Sequence, residues 1–245
     1  ADSRQVYIGL DALTGKDRSP DVPIWLYDIA DGEFSVAHFV PLAQSAIEHI
    51  AQKRKLPIVV GGTGFYLRAL VNPPETMAIP PDWPRRKHLE TLPVDTLQTL
   101  VDPARFALMN ESDRKNPRRL IRATELGGKI SFQSTPSYDA LWIGLTAPLP
   151  LLKQRITDRV IQRFDAACRE VRVGLPPILG TEVLLGYTRG EYTKEEALRD
   201  WARREYQYAK RQLTWFRKEN AIHWFDVNTI DYQKEVEALV RGWYT

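Results

Sequence analysis

The sequence has one cysteine, Cys168, in 245 residues. That excludes an intrachain disulfide and a cysteine-rich zinc site, and it fits a reducing compartment. Its four histidines, His38, His49, His88 and His223, are scattered and form no HExxH pair, so a histidine-based metal centre is not expected. Long apolar runs are also missing. Nowhere do roughly 18 apolar residues follow one another, so no transmembrane helix is expected. Neither the charged nor the apolar region of a secretory signal is visible, and there is no internal repeat or low-complexity tract. A strict phosphate loop, GxxxxGK[ST], is absent too. The nearest string, "GLDALTGKD", has five residues between Gly9 and Gly15 and places Asp17 where a hydroxyl residue belongs.

What is present is an ordinary apolar share of 43%, enough for a full core in one large domain or one domain with an insertion. Net charge is only +3, so the arrangement of charge matters more than its sum. Basic residues cluster in "RKNPRRLIR" and in "ARREYQYAKRQLTWFRK", where aromatics are interleaved with them. "RQVYIGL" alternates like a strand, and "PIWLYDI" reads as a second extended run. "SVAHFVPLAQSAIEHIAQKRK" reads as a helix capped by Ser35, with Val36, Phe39, Ala43, Ile47 and Ile50 on one stripe and Pro41 expected to kink or restart it. "LPIVVGGTGFYLRAL" reads as a strand, a glycine turn and a helix. This order predicts a parallel βαβ unit in a sheet covered on both faces. Residues 72–94 are proline-dense and then charged, an excursion from the core that the basic stretch at 103–126 continues. "ALWIGLTAP" reads as a return strand, and from Leu151 onward nearly everything reads helical.

Four stretches suit chemistry, and each has a plainer reading. "VVGGTGFY" lies at the carboxyl end of a predicted strand, where Gly61 and Gly62 permit close approach and Thr63 offers a hydroxyl; it also suits a tight turn with no ligand. "ADSRQ" supplies a carboxylate and a cation, or simply an exposed cap. "RITDRV" sets Arg155 and Arg159 one turn apart, able to grip a diphosphate or to form a solvated face. On a helix, "YAKRQLTWFR" puts Tyr206, Ala209, Leu213 and Phe216 on an apolar stripe. Lys210, Thr214 and Arg217 fall on a second face, and Arg211, Trp215 and Lys218 on a third. Cations flanking an aromatic suit RNA, though most amphipathic helices with such a face are merely solvated.

In this order, "ADSRQVY", "PIVVGGTGFYLRAL", "RRLIRATEL", "RITDRV", "LLGYTRGE" and "YAKRQLTWFR" resemble the bacterial tRNA dimethylallyltransferases, also called tRNA isopentenyltransferases, over essentially the whole chain. The resemblance implies an α/β fold: a P-loop NTPase-like parallel sheet flanked by helices, with a helical insertion domain and a helical C-terminal region. The core would be residues 1–72 and 127–245, and residues 73–126 the insertion reaching the anticodon stem-loop. The implied reaction moves a dimethylallyl group from its diphosphate to N6 of adenosine 37 of tRNA. Asp2 would be the general base, Thr63 would sit by the reacting centre, and Arg159, Gly61 and Gly62 would bind the diphosphate. The tRNA would be held by Ser3, Arg4, Gln5, Arg118, Arg119, Arg122, Gly186, Tyr187, Lys210, Arg211, Gln212, Thr214, Trp215 and Arg217. Mg²⁺ is the implied cofactor, its ligands not assigned. The implied protein is a cytoplasmic monomer with no membrane partner.

The chain also departs from the pattern. The family carries a GPTASGKT-like segment upstream of ADSRQ, and its absence here predicts an inactive chain that begins at the second family motif. "DALTGKDRS" stands where the family has "DIGTAKPT", and several junctions look compressed. Three other functions compete: a tRNA-binding module without catalysis, a nucleotide-kinase-like phosphotransferase holding ATP, and a relative that prenylates free adenine nucleotides. The basic aromatic helix favours tRNA over the last two.

Overall fold

In the computed structural model, which describes residues 1–74, 77, 79–128, 138–176 and 178–244, the chain divides into two units. One is Ala1–Arg68 with Tyr138–Thr245; the other is Ala69–Ser137. Much of the first 35 residues is irregular, with one turn of helix, α1 (Asp11–Thr14). Then come α2 (Val36–Gln52) and α3 (Gly64–Val71). Helix α2 runs through Pro41 without a break, and Phe39, Val40, Ala43 and Ala46 are its buried residues. A proline this near the N-terminus removes one ladder bond. The apolar face retains the helix around it.

The second unit holds α4 (Trp83–Leu89), α5 (Val94–Leu100), α6 (Pro103–Leu108), α7 (Glu111–Arg114) and α8 (Pro117–Leu126). Their starts are written in the sequence. Asp82, Asp102, Asn110 and Asn116 each accept a backbone N–H of the first turn, and α4, α6 and α8 have a proline just inside. Leu89, Leu97, Val101, Leu120, Ile121 and Ala123 form its core. Beside them the Glu125 carboxylate, 2% exposed, receives Arg86 Nε at 2.6 Å and Nη2 at 2.7 Å, Arg122 Nη1 at 2.9 Å and the Asp82 N–H at 3.1 Å. Burial pushes this carboxyl upward, but the arginine bonds outweigh burial and hold it below its ordinary value.

The first unit resumes with β1 (Trp142–Thr146), α9 (Leu149–Glu170), α10 (Thr181–Thr188), α11 (Lys194–Phe216), β2 (Ile222–Asp226) and α12 (Tyr232–Tyr244). Strands β1 and β2 are parallel, Trp142 facing Ile222 and Thr146 facing Asp226. Parallel neighbours need a crossover, and α9 to α11 supply it. Helix α11 opens with a capping box: Glu196 N donates to Thr193 Oγ1 at 3.2 Å, and Thr193 N donates to Glu196 Oε2 at 2.9 Å. The core lies where Val6, Leu10 and Leu13 meet Val160, Phe164 and Ala167 of α9, Val183 and Leu184 of α10, and Ala197 and Trp201 of α11.

The expected strand at 142–146 forms, and the strand at 222–226 falls in a stretch that reads helical from its sequence. Three other expected strands do not form. "RQVYIGL" makes a single parallel bridge, Tyr7 to Ala30, the residue that follows "PIWLYDI". Leu26 and Asp28 have φ of +67° and +55°, which breaks the second run, and Asp28 is turned toward a buried lysine. The run at 57–60 forms no strand, and Ile58 and Val60 are each 76% exposed. Apolar alternation can propose a strand, but a ladder needs a neighbour on its edge. Among the described residues, Ala1 meets this run through Val60 O, and no strand pairs with it.

Candidate functional site

The two strings that begin and end the sequence argument meet in the first unit. Thr63 sits immediately before α3, its carbonyl accepting Tyr66 N at 2.9 Å and Leu67 N at 3.2 Å. Its hydroxyl turns the other way. Thr63 Oγ1 accepts Ser3 N at 3.1 Å and donates to Ser3 Oγ at 3.3 Å. Ala1 is held on both sides, its nitrogen donating to Val60 O at 2.5 Å and its carbonyl accepting Thr63 N at 3.3 Å. Asp2 is thereby fixed beside the glycine turn. Its Oδ1 accepts Arg4 N at 2.8 Å and Gln5 N at 3.2 Å, an Asx-type turn that locks the carboxylate's rotation. Among the described residues no donor sits on Oδ2.

The glycines of this turn serve packing between segments. A Cβ on Gly61 would run into the Ala1 carbonyl, one on Gly62 into the Gln212 amide, and one on Gly64 into the Trp215 ring. Gln212 Nε2 donates to Gly62 O at 3.0 Å. The faces of Gly61 and Gly62 are therefore taken by protein, so they can offer a ligand only their backbone groups. Trp215, placed by helical periodicity on a charged face, packs against α3 and carries the Arg68 guanidinium 5.0 Å from its ring centre. The stripe Tyr206, Ala209, Leu213 and Phe216 is half-buried, whereas Lys210, Arg211, Thr214 and Arg217 are exposed. Thr214 Oγ1 donates to Lys210 O at 2.9 Å, and Arg217 caps the helix end.

A second knot adjoins the first. Gly15, with φ of +66°, offers one carbonyl to two donors, Gln5 Nε2 at 2.8 Å and Arg159 Nη2 at 2.7 Å. Arg155 is exposed, and it is Arg163, one turn beyond Arg159, that joins this loop, donating to Ala12 O at 3.0 Å. Burial, with Arg159 alongside, pulls the Arg163 guanidinium below its ordinary pKa. The next residue, Lys16, is fully enclosed. Its amine donates to Tyr7 O at 2.7 Å, Asp11 Oδ1 at 2.9 Å and Asp28 Oδ1 at 2.6 Å. This is the lysine of the failed phosphate loop, and its role in the fold is a buried tether. Glu170 anchors the same loop from α9, accepting Ala12 N at 2.8 Å and Leu13 N at 2.7 Å.

The remaining residues named from sequence lie elsewhere. Gly186 is buried against Tyr192, and the Tyr187 ring meets Phe164 edge-on at 5.0 Å, so both are packed inside. Arg118, Arg119 and Arg122 belong to α8 of the second unit. Arg118 and Arg119 are exposed, Arg119 pairs with Asp113, and Arg122 is bound to Glu125. Arg163, Arg68 and Tyr208 were not legible as site residues, and Lys16 only as part of the failed phosphate loop. Tyr208 is one turn from Arg211, which is the signal that was available.

Among the described residues, no three of His, Cys, Asp and Glu gather into a group able to hold a metal. The described residues thus offer no all-protein cage for Mg²⁺. Such a cation fits here only as the companion of a phosphate ligand, with few or no protein carboxylates. Among the described residues no helix is long and apolar enough to cross a membrane.

The family model described as IPP transferase matches residues 5–219. The tRNA dimethylallyltransferase of Limosilactobacillus fermentum is 36% identical, the match covering 99% of this chain and 88% of that protein. The protein of the same name from Pediococcus pentosaceus is 37% identical over 99% of this chain and 86% of its own length. The crystal structure of the full-length tRNA isopentenylpyrophosphate transferase from Bacillus halodurans superposes with a TM-score of 0.69 at 33% identity, covering 98% of this chain and 86% of that one.

Proposed function

The chain belongs to the IPP transferase family, and we propose that it transfers a dimethylallyl group from dimethylallyl diphosphate to N6 of adenosine 37 in tRNA. The observation that carries this reading is the meeting of Asp2, Ser3 and Thr63 with Gly62 and Gln212 at one place. In it the parallel sheet belongs to a P-loop NTPase-like core, and the enzyme acts as a monomer.

The chemistry sets the roles. An exocyclic adenine amine is a weak nucleophile because its lone pair is delocalised into the ring. A carboxylate that accepts the N6 proton as the new C–N bond forms raises the rate by about 10²–10⁴-fold. Asp2 suits this task because two backbone N–H groups orient Oδ1 and leave Oδ2 for the proton. The allylic carbon gains positive charge as the C–O bond to diphosphate breaks, so the leaving oxygens need cations or N–H donors. Arg159 supplies a guanidinium already aimed by Gly15, and Gly61 and Gly62 contribute through their backbone. Mg²⁺ accompanies the diphosphate and screens its charge. The target base leaves its stack in a loop, at a penalty of only a few kcal/mol. Arg4, Gln5, Lys210, Arg211 and Arg217 hold the RNA backbone in the first unit, and Arg118, Arg119 and Arg122 in the second.

The test is a transfer assay with labelled dimethylallyl diphosphate, Mg²⁺ and an unmodified tRNA bearing adenosines at 36, 37 and 38, followed by digestion to nucleosides. N6-prenyladenosine from position 37 is expected where the protein carries an upstream phosphate-loop segment, and none from these 245 residues alone, which lack one. Asp2→Asn, which keeps the shape and removes the base, is expected to lower kcat about 10²–10⁴-fold with tRNA affinity within a factor of three. A variant that keeps its rate but loses tRNA contradicts the role given to Asp2.

A further inference from the structure

One aromatic ring in the first unit carries two cations brought from opposite ends of the chain. The Arg4 guanidinium lies over the Tyr208 ring at 4.0 Å from its centre, and that of Arg211 lies 5.7 Å from the same centre. Arg211 reaches the ring by helical spacing, three residues along α11. Arg4 reaches it only through the fold. Among the described residues neither guanidinium has a carboxylate partner, although Arg4 is half-buried. Most other cation–ring pairs of this unit differ. Arg18 pairs with Asp11 and Asp28, Arg68 with Glu219, and Lys194 with Asp165.

Two like charges on one ring can be no more than about 10 Å apart. That is within about one Debye length at 0.1 M salt, so their repulsion is only partly screened. The ring's negative face offsets part of this, about 0.5–2 kcal/mol for a cation. Stacking also engages only the flat face of a guanidinium. Its N–H donors lie in the plane and stay free for a phosphate. Two guanidiniums, one of them half-buried, oriented by a ring and left without a carboxylate among the described residues, are therefore incomplete without an anion.

We infer that Arg4, Tyr208 and Arg211 form a clamp for one RNA phosphodiester group, with Tyr208 as the residue that positions both cations. The clamp rests on the tRNA reading above and adds to it a residue and a ligand group. It lies next to Asp2, since Arg4 is the residue whose N–H the Asp2 carboxylate accepts. A phosphate held here fixes the RNA strand two residues from the proposed base. The free diphosphate of the second substrate has the same phosphate oxygens, and the experiment separates the two sources.

The test measures the affinity of the full chain for unmodified tRNA by fluorescence anisotropy from 50 to 200 mM salt, alongside the KM for dimethylallyl diphosphate. Each phosphate contact on a single strand contributes about 0.7 to the slope of log K against log salt. Arg4→Gln with Arg211→Gln is expected to reduce the slope by about 0.7, the contribution of the one phosphate they share. Tyr208→Leu, which removes the ring and leaves both charges, is expected to lower affinity about tenfold, and Tyr208→Phe to restore it. KM for the diphosphate stays within twofold in all of them. Unchanged slopes in variants that still bind tRNA overturn the clamp and leave the tRNA reading standing. A raised KM with an unchanged slope overturns the RNA source, because the anion is then the diphosphate. A wild-type chain that does not bind tRNA overturns the reading itself and the clamp with it.

Discussion

Replacing Lys16 with methionine keeps the length of the side chain and removes its charge. The amine is fully enclosed and donates to the Tyr7 carbonyl, Asp11 and Asp28. Losing one member of a buried ion pair destabilises by about 3–5 kcal/mol. Two features reduce this. Asp11 is 49% exposed, and Arg18 already contacts both carboxylates. The expected loss is therefore about 2–3 kcal/mol, an estimate that counts two charged hydrogen bonds partly replaced by water and Arg18. For a chain of this size that lowers the melting midpoint by about 4–12 °C.

The same lysine sets an acid dependence. Its hydrogen bond is the largest cause holding the Asp28 carboxyl at about 2, below an ordinary 3.8; burial opposes this, and Arg18 adds to it. A depressed carboxyl stabilises the folded state above its unfolded value and loses that contribution as pH falls from 3.8 to about 2. At most this is about 2.4 kcal/mol, and about 1–2 after allowing for the partly exposed carboxylate. Melting followed by circular dichroism at pH 7 and across pH 2–4 measures both effects. The wild type should weaken through that acid window more steeply than Lys16→Met. A midpoint that moves less than about 2 °C at pH 7, or parallel acid profiles, refutes the tether.

Two glycines give a contrast at the candidate site. Gly61→Ala drives a methyl into the backbone of Ala1, so Asp2 must move, and kcat is expected to fall about 10²-fold. Gly62→Ala meets only the mobile end of Gln212 and gives up about one hydrogen bond, so its rate should stay within about tenfold of wild type. Steady-state rates for the pair decide it, and equal losses contradict the assignment. In the second unit, Glu125→Ala strands Arg86 and Arg122 beside the core. An expected loss of about 3 kcal/mol should appear as early unfolding of that unit by hydrogen exchange.

Helices were the legible part of this sequence, because their signals are local. Ser35 marks a helix start and apolar spacing gives the long helices, whereas Thr193 and the Asp and Asn caps of the second unit, signals of the same local kind, were not singled out. The motifs at 2–5, 61–63 and 210–217 were legible as candidate chemistry by residue type. Strands were legible only at 142–146, because a strand is defined by its neighbour. The run at 57–60 has β-forming residues and no ladder, while 222–226 becomes a strand because β1 lies beside it. Only the tertiary structure turned Thr63 toward Ser3, laid Gln212 over Gly62, made Gly15 a shared acceptor for Gln5 and Arg159, and set Arg4 on Tyr208. All of those contacts but the Gln5–Gly15 bond join residues far apart in the chain. Local composition carries helix propensity and charge, but it cannot encode which distant surface will close over a given side chain.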